Sequence, residues 1–287
     1  MSTTLQDQFR AYLANKSESL SSAEELGTEG RVTINKDAEL CIRDVAPQKH
    51  KEMQRTLAQI LLRFKLDWKM LKATMLTTGA VILGSVALVV LQGGEFVPQD
   101  LDIYVTSESM AMVLVFLQEQ GYAVQIPAPV ARKNSYPKTS VKLTFQNDTG
   151  EKIDLVATTE QHVVHTITRF HSTCVMNYIA YYGIVCLYPD WTMRKTAFVK
   201  ADVRDEQNIH KYRGRGFTMI YAASDMPEYE PAHKCGRHAC CPKARRELHD
   251  HVTLCISLED EDSGLTIKIE EDKRVQWVLE KDYICNV

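Results

Sequence analysis

The chain has 287 residues, 45% of them hydrophobic, and a formal net charge of −3 at pH 7. That is enough for one large domain or two small ones with an ordinary core, and the near-balanced charge excludes a global field drawing the protein to nucleic acid or membrane. The opening residues, MSTTLQDQFRAYLANKSES, hold no apolar signal-peptide core, and the most apolar run, residues 80–91, is too short for a bilayer and is broken by Gly84-Ser85. Eight cysteines without such a signal point to reduced thiols, so the expected setting is cytoplasmic or nuclear, with no membrane partner.

In chain order, Leu5, Phe9, Tyr12 and Leu13 fall at helical spacing and predict a short amphipathic helix. Residues 17–30 are rich in Ser and Glu and read as a loop; 31–34 and 39–45 are weak strand candidates. Residues 51–64 place Met53, Leu57, Ile60, Leu61 and Phe64 on one helical face, and 66–76 form a second helix. A buried strand at 80–84, a helix at 85–92, a glycine-containing loop at 93–99 and a strand at 100–105 follow. Residues 107–120 predict a helix with Ser107 as N-cap and Gly121 as its stop. Strand 122–126, a proline-rich loop at 127–137, the alternating strand 140–146, a turn at 147–150 and strand 152–157 complete the first half. That succession predicts an α/β sheet of mixed direction with helices packed on it.

From residue 161 the pattern is less regular. Residues 173–182 place Val175, Ile179 and Tyr182 at helical spacing before Gly183, and predict a helix. A short strand at 184–188, a basic helix at 204–216, a proline-containing loop at 224–234 and a terminal meander of strands at 251–258, 265–269 and 275–279 are expected next. The resulting division is a partly disordered leader over 1–50, a core over 51–160, and an α+β region over 161–287 that closes one side of a cleft.

The chemistry concentrates around AVILGSVALVVLQGGEFVPQDLDIYV, residues 80–105. Strand side chains alternate, so Asp100 and Asp102 share one face while Leu101, Ile103 and Val105 enter the core. Two carboxylates that close repel each other unless a divalent cation lies between them. Asp154 sits in a second apolar strand, and all three acids meet if that strand pairs beside the first. Gly84 permits a sharp turn and close approach to a phosphate, and Ser85 starts a helix whose free N–H groups suit an anion.

The order Gly84-Ser85, Asp100-Leu101-Asp102-Ile103, Ile153-Asp154-Leu155 resembles the nucleotidyltransferase superfamily, with its DNA polymerase β-like fold. The match covers about a third of the chain, and the spacing from Ser85 to Asp100 is slightly longer than the family's usual one. More loosely, the runs HSTCVMNYIAYYG and LYPDWT resemble divergent nucleotidyltransferase-like proteins of mushroom-forming fungi. The first resemblance implies a nucleoside triphosphate as substrate, Mg²⁺ or Mn²⁺ as cofactor, and a two-metal transfer of a nucleoside monophosphate to a hydroxyl. It implies further that Asp100 and Asp102 hold the triphosphate-side ion and that all three aspartates hold the ion activating the acceptor, with Asp154 aiding deprotonation. The acceptor is left open among nucleic acid, protein and small molecule. Members of this superfamily can lose catalysis and keep the fold, so the alternative is an inactive nucleotide-binding or interaction protein.

Other readings of the acids fit less well. A glycosyltransferase with Asp-x-Asp calls neither for Gly84-Ser85 nor for Asp154, and a restriction-type nuclease needs an acid two residues before Lys142, where Ser140 stands. Cys235, His238, Cys240 and Cys241 offer a possible structural zinc site, although their spacing matches no familiar finger; a cysteine-rich loop on the core and redox pairing are the alternatives. Ser172 and Thr173 read as helix caps or, with His171, Asn177 and Arg169, as groups facing the nucleotide. Two basic tracts, one holding Arg194, Lys195, Lys211 and Arg213 and the other Arg246, read as solvated faces, with contact to a triphosphate or an anionic acceptor as the alternative for those four residues of the first.

Overall fold

The computed structural model describes residues 47–125, 139–201, 205–225, 236, 241–248, 250–258 and 275–280. The expected helix over 5–13, the loops over 17–30 and 127–137, and the strands over 31–34, 39–45 and 265–269 lie outside these residues. Helix α1 (Pro47–Arg63) buries the expected stripe of Met53, Leu57, Ile60 and Leu61, with Phe64 just beyond its end. Helix α2 (Trp68–Thr78) is started by Asp67, whose side chain accepts from the Met70 N–H at 2.7 Å.

Next come β1 (Val81–Leu83), α3 (Gly84–Gln92), β2 (Asp100–Thr106) and α4 (Met110–Glu119). They are followed by β3 (Ala123–Gln125), β4 (Thr139–Gln146), β5 (Lys152–Thr158) and the short α5 (Val163–Ile167). Beyond lie β6 (Asn177–Ala180), β7 (Gly183–Cys186), α6 (Pro189–Met193), β8 (Thr196–Phe198), α7 (Glu206–Gly214) and β9 (Thr218–Ile220). The last described strands are β10 (Arg245–Glu247), β11 (Leu254–Ile256) and β12 (Gln276–Val278).

Eight strands form one mixed sheet in the order β11-β7-β6-β1-β2-β5-β4-β3, with β2 and β5 parallel and the other neighbours antiparallel. Strands from beyond residue 160 therefore continue the sheet begun by β1 and β2. Ile82, Ile103, Leu155, Ile179 and Ile184 point to the face covered by α1, α2 and α4. Val81, Leu83, Tyr104, Val156, Tyr178 and Val185 point to the other face, where Trp191, Phe198 and Trp277 cover them. Burial on both faces explains why β1 is apolar throughout instead of alternating.

Two expectations are corrected here. Residues 173–182 are not a helix: a 3₁₀ turn (Thr173–Val175) leads into β6, which hairpins to β7. All four β6 residues are buried, and a strand buried on both faces has no polar alternation to distinguish it from a buried helix. Of the expected terminal strands, β11 joins the large sheet beside β7 and β12 pairs with β10, while the middle one, 265–269, lies outside the described residues. Arg246, assigned to a solvated tract, is instead 3% exposed. Its guanidinium engages Asp250 and donates to the Leu187 carbonyl at 3.0 Å, with the Tyr188 ring 4.9 Å away. A buried cation is tolerated when paired and hydrogen-bonded in this way.

Gly183 starts β7 at φ +153°, and a Cβ there would stand 2.2 Å from the Ile256 carbonyl oxygen of β11. Gly183→Ala is expected to cost roughly 2–5 kcal/mol, because backbone must move to admit it. Gly121→Ala, at φ +81° with open space around it, should cost about 1 kcal/mol. Urea midpoints for the two variants check this.

No described helix is long and apolar enough to cross a membrane. Cys174 and Cys186 are buried thiols, and burial pushes each up to about 12. Of the proposed zinc ligands, Cys235, His238 and Cys240 lie outside the described residues. Cys241 is buried, and its Sγ accepts from the Gly236 N–H at 3.3 Å.

Candidate active site

The sheet register brings the acids together. Leu83 of β1 lies opposite Asp102 of β2, Asp102 opposite Asp154 of β5, and Asp154 opposite Thr144 of β4. Gly84, the residue after Leu83, thus enters α3 beside the Asp102 carboxylate. Asp100 lies one strand repeat before Asp102 on the same face, and ligand oxygens of Asp100, Asp102 and Asp154 all lie within 4.8 Å of one another. The three expected acids therefore converge where β2 and β5 begin, on the face of the sheet that Tyr104 and Val156 continue inward.

Gly84 has φ +67°, and a Cβ on it would fall 2.5 Å from Asp102 Oδ2. Its lack of a side chain gives the acid its place as well as giving the chain its turn. Leu83, at the N-cap, offers no side-chain oxygen to the first turn of α3. The N–H groups of that turn are the orphan donors of a helix start, where the partial positive charge favours an anion. Ser85 is buried and lines the cavity with Leu83 and Gly84.

The electrostatics are those of crowded acids. Burial, and then the charges of Asp100 and Asp154, raise Asp102 to about 7 against the opposing pull of Lys142 and Lys211. Asp154 is stabilised locally: Thr144 Oγ1 donates to its Oδ1 at 2.6 Å, and Lys142 Nζ lies 2.7 Å from its Oδ2.

The opposite wall comes from the second half of the chain. Arg169, Phe170, His171 and Val175 reach the cavity from the segment between α5 and β6, and Asp205, Asn208, Lys211 and Tyr212 from α7 and its cap. Asp205 accepts from the Asn208 N–H at 3.1 Å and from its side-chain amide at 2.7 Å, which fixes the start of α7. Burial pushes His171 down to about 4, outweighing the attraction of Asp205, so its imidazole is neutral near pH 7. Its ring is 5.8 Å from that of Tyr212, and among the described residues its Nδ1 has no hydrogen-bond partner.

The expectations for this wall divide. Arg169 and His171 line the cavity. Ser172 and Thr173 do not cap a helix: Thr173 Oγ1 accepts from the Phe198 N–H at 3.0 Å, and Ser172 Oγ lies 3.3 Å from Cys174 Sγ. Asn177 donates to the Cys174 carbonyl at 2.7 Å. In the first basic tract Lys211 faces the cavity, Lys195 pairs with Glu95, and Arg213 donates to the Tyr221 hydroxyl at 2.8 Å. Sequence reasoning missed Tyr104, Asn208, Tyr212 and the contact of Lys142 with Asp154. Continuing the alternation from Asp102 leads to Tyr104, and helical spacing leads from Asn208 to Lys211.

No protein-family model and no curated protein matches this chain. Among solved structures, the Thermotoga maritima CCA-adding enzyme complexed with tRNA is similar over 58% of this chain and 43% of its own, at 13% identity and a TM-score of 0.39. A CCA-adding enzyme with CTP is similar over 57% of this chain and 43% of its own, at 14% identity and a TM-score of 0.36. A tRNA-processing enzyme in its apo form is similar over 62% and 45%, at 16% identity and a TM-score of 0.35. The matched region is thus less than half the length of each of these chains.

Proposed function

We propose that this protein transfers a nucleoside monophosphate from a nucleoside triphosphate to an acceptor hydroxyl. The observation that carries the reading is the lateral row in which Gly84 at the start of α3, Asp102 and Asp154 stand side by side, with Asp100 one repeat away. Three carboxylates whose ligand oxygens lie within 4.8 Å of one another fit a hard divalent cation such as Mg²⁺ or Mn²⁺, whose ligands are oxygens. When bound, such ions stabilise the charge on the attacking and leaving oxygens of an in-line displacement.

Asp100 and Asp102 would hold the triphosphate-side ion, and all three acids the acceptor-side ion, with Asp154 placed to ease the proton from the hydroxyl. Gly84, Ser85 and the free N–H groups of α3 face the triphosphate. Lys211 brings positive charge from the opposite wall, Arg169 adds a guanidinium that is paired with Glu160, and neutral His171 offers a hydrogen-bonding edge without competing for the metal's charge. In this reading the region beyond residue 160 completes the cleft.

The test uses ATP, GTP, CTP and UTP in thermal-shift assays with Mg²⁺, Mn²⁺ or EDTA, followed by transfer of α-phosphate label to RNA, protein and small-molecule fractions. A metal-dependent shift for one nucleotide, followed by labelled product, is expected. No shift with any nucleotide in the folded protein would overturn the reading. Metal-dependent binding without labelled product would replace it with that of an inactive nucleotide-binding protein.

A further inference from the structure

The carboxylate cluster already contains a cation supplied by the chain. Lys142 and Thr144 project from β4 on the same face, and together they engage both oxygens of Asp154, at 2.7 Å and 2.6 Å. Asp154 lies deep, with its side chain 11% exposed, whereas the Lys142 side chain is 39% exposed. A flexible lysine stem can turn its ammonium out to water, while the strand-bound aspartate cannot follow. Thr144 is different, since a hydroxyl can continue to donate to a carboxylate that is also binding a metal.

Building on the metal-dependent reading above, we propose that Lys142 is the resident counter-ion of Asp154. The triad then accepts one divalent cation readily, on Asp100 and Asp102, and a second only when that cation displaces the Lys142 ammonium. The physical basis is competition: two cations cannot occupy the same carboxylate oxygen without repelling each other across a few ångströms. A nucleoside triphosphate brings the negative charge to which the released ammonium can turn, so Lys142 ties completion of the metal site to arrival of substrate. Lys142 is thus a positioning residue that acts through Asp154.

The experiment titrates Mn²⁺ alone into the metal-free full chain and counts free ion by electron paramagnetic resonance. The wild type should bind one ion and then a second more weakly. Lys142→Met should tighten the second ion by roughly five- to tenfold, the scale of one partly exposed ion pair, with less change at the first. Lys142→Arg should preserve the wild-type gap. Lys211→Met removes a cation from the opposite wall and should shift both ions alike.

An unchanged second ion in Lys142→Met, or a shift indistinguishable from that of Lys211→Met, would overturn the inference. Lys142→Gln is a second test should the methionine variant fail to fold. If the wild type and the Lys142 variants all bind no Mn²⁺, the metal-dependent reading falls together with this inference. If the first ion binds and is lost in Asp102→Asn but the Lys142 variants match the wild type, only this inference falls.

Discussion

Asp102→Asn is expected to lower the proposed nucleotidyl transfer by about a thousandfold or more, while making the metal-free protein more stable at pH 8. The two effects share one cause. Asp102 is held near 7 first by burial and then by the charges of Asp100 and Asp154, so ionising it in the folded protein is unfavourable. In the unfolded chain the same group titrates near 3.8. The folded state therefore binds the additional proton between about pH 4 and pH 7, and stability falls as pH rises through that window. Above pH 7 the full cost is present, on the order of 2–4 kcal/mol. Asparagine keeps the size of the side chain and removes the charge, so its melting temperature should exceed the wild type's by several degrees at pH 8. The difference should shrink toward pH 5, where wild-type Asp102 is protonated. The lost carboxylate is also a ligand shared by both proposed ion positions, so transfer should fall regardless of pH. Melting curves at pH 5 and pH 8, with transfer assays on the same preparations, check both halves. A difference between variant and wild-type melting temperatures that is the same at pH 5 and pH 8 would show that Asp102 does not strain the fold.

The parts of this arrangement that were legible in the sequence rest on local periodicity. Asp100-Leu101-Asp102-Ile103 displays its two faces within four residues, and Leu101 and Ile103 are buried as the alternation requires. The order of the first five strands and the helices between them follows from similarly short patterns. Lateral register is different: that Asp102 lies opposite Asp154, and Thr144 beyond it, depends on three separate strand pairings, which no single segment encodes. Buried strands fail for a related reason. Asn177–Ala180 is covered on both faces by residues distant in sequence, so its apolar spacing satisfies a helix equally well. Arg246 shows the limit for charge, since its burial depends on Asp250, the Leu187 carbonyl and two aromatic rings brought together only by the fold. The contact of Lys142 with Asp154 was hidden because a lysine in an alternating strand looks like a solvent-facing residue until the neighbouring strand is known.

Gly84→Ala carries the second large effect, and its consequence should fall on the site more than on the fold. Two penalties combine. The backbone at φ +67° disfavours any side chain, a cost of about 1 kcal/mol. The new Cβ would also lie 2.5 Å from Asp102 Oδ2, much closer than real contacts allow. The colliding atom is the end of a short side chain, not backbone, so the carboxylate can rotate away and relieve the clash while the sheet remains paired. That movement takes Asp102 out of the cluster formed with Asp100 and Asp154. The expected result is a modest loss of stability, about 1–2 kcal/mol, with a tenfold or greater weakening of Mn²⁺ binding and a corresponding loss of metal-dependent nucleotide binding. Gly183→Ala should behave in the opposite way, because its collision is with the Ile256 carbonyl of a neighbouring strand and can be relieved only by breaking sheet structure. Urea midpoints and Mn²⁺ titrations on both variants separate the two outcomes. If Gly84→Ala kept wild-type Mn²⁺ affinity, the close approach of Gly84 to Asp102 would have no role in forming the metal site, and the glycine would serve only the turn into α3.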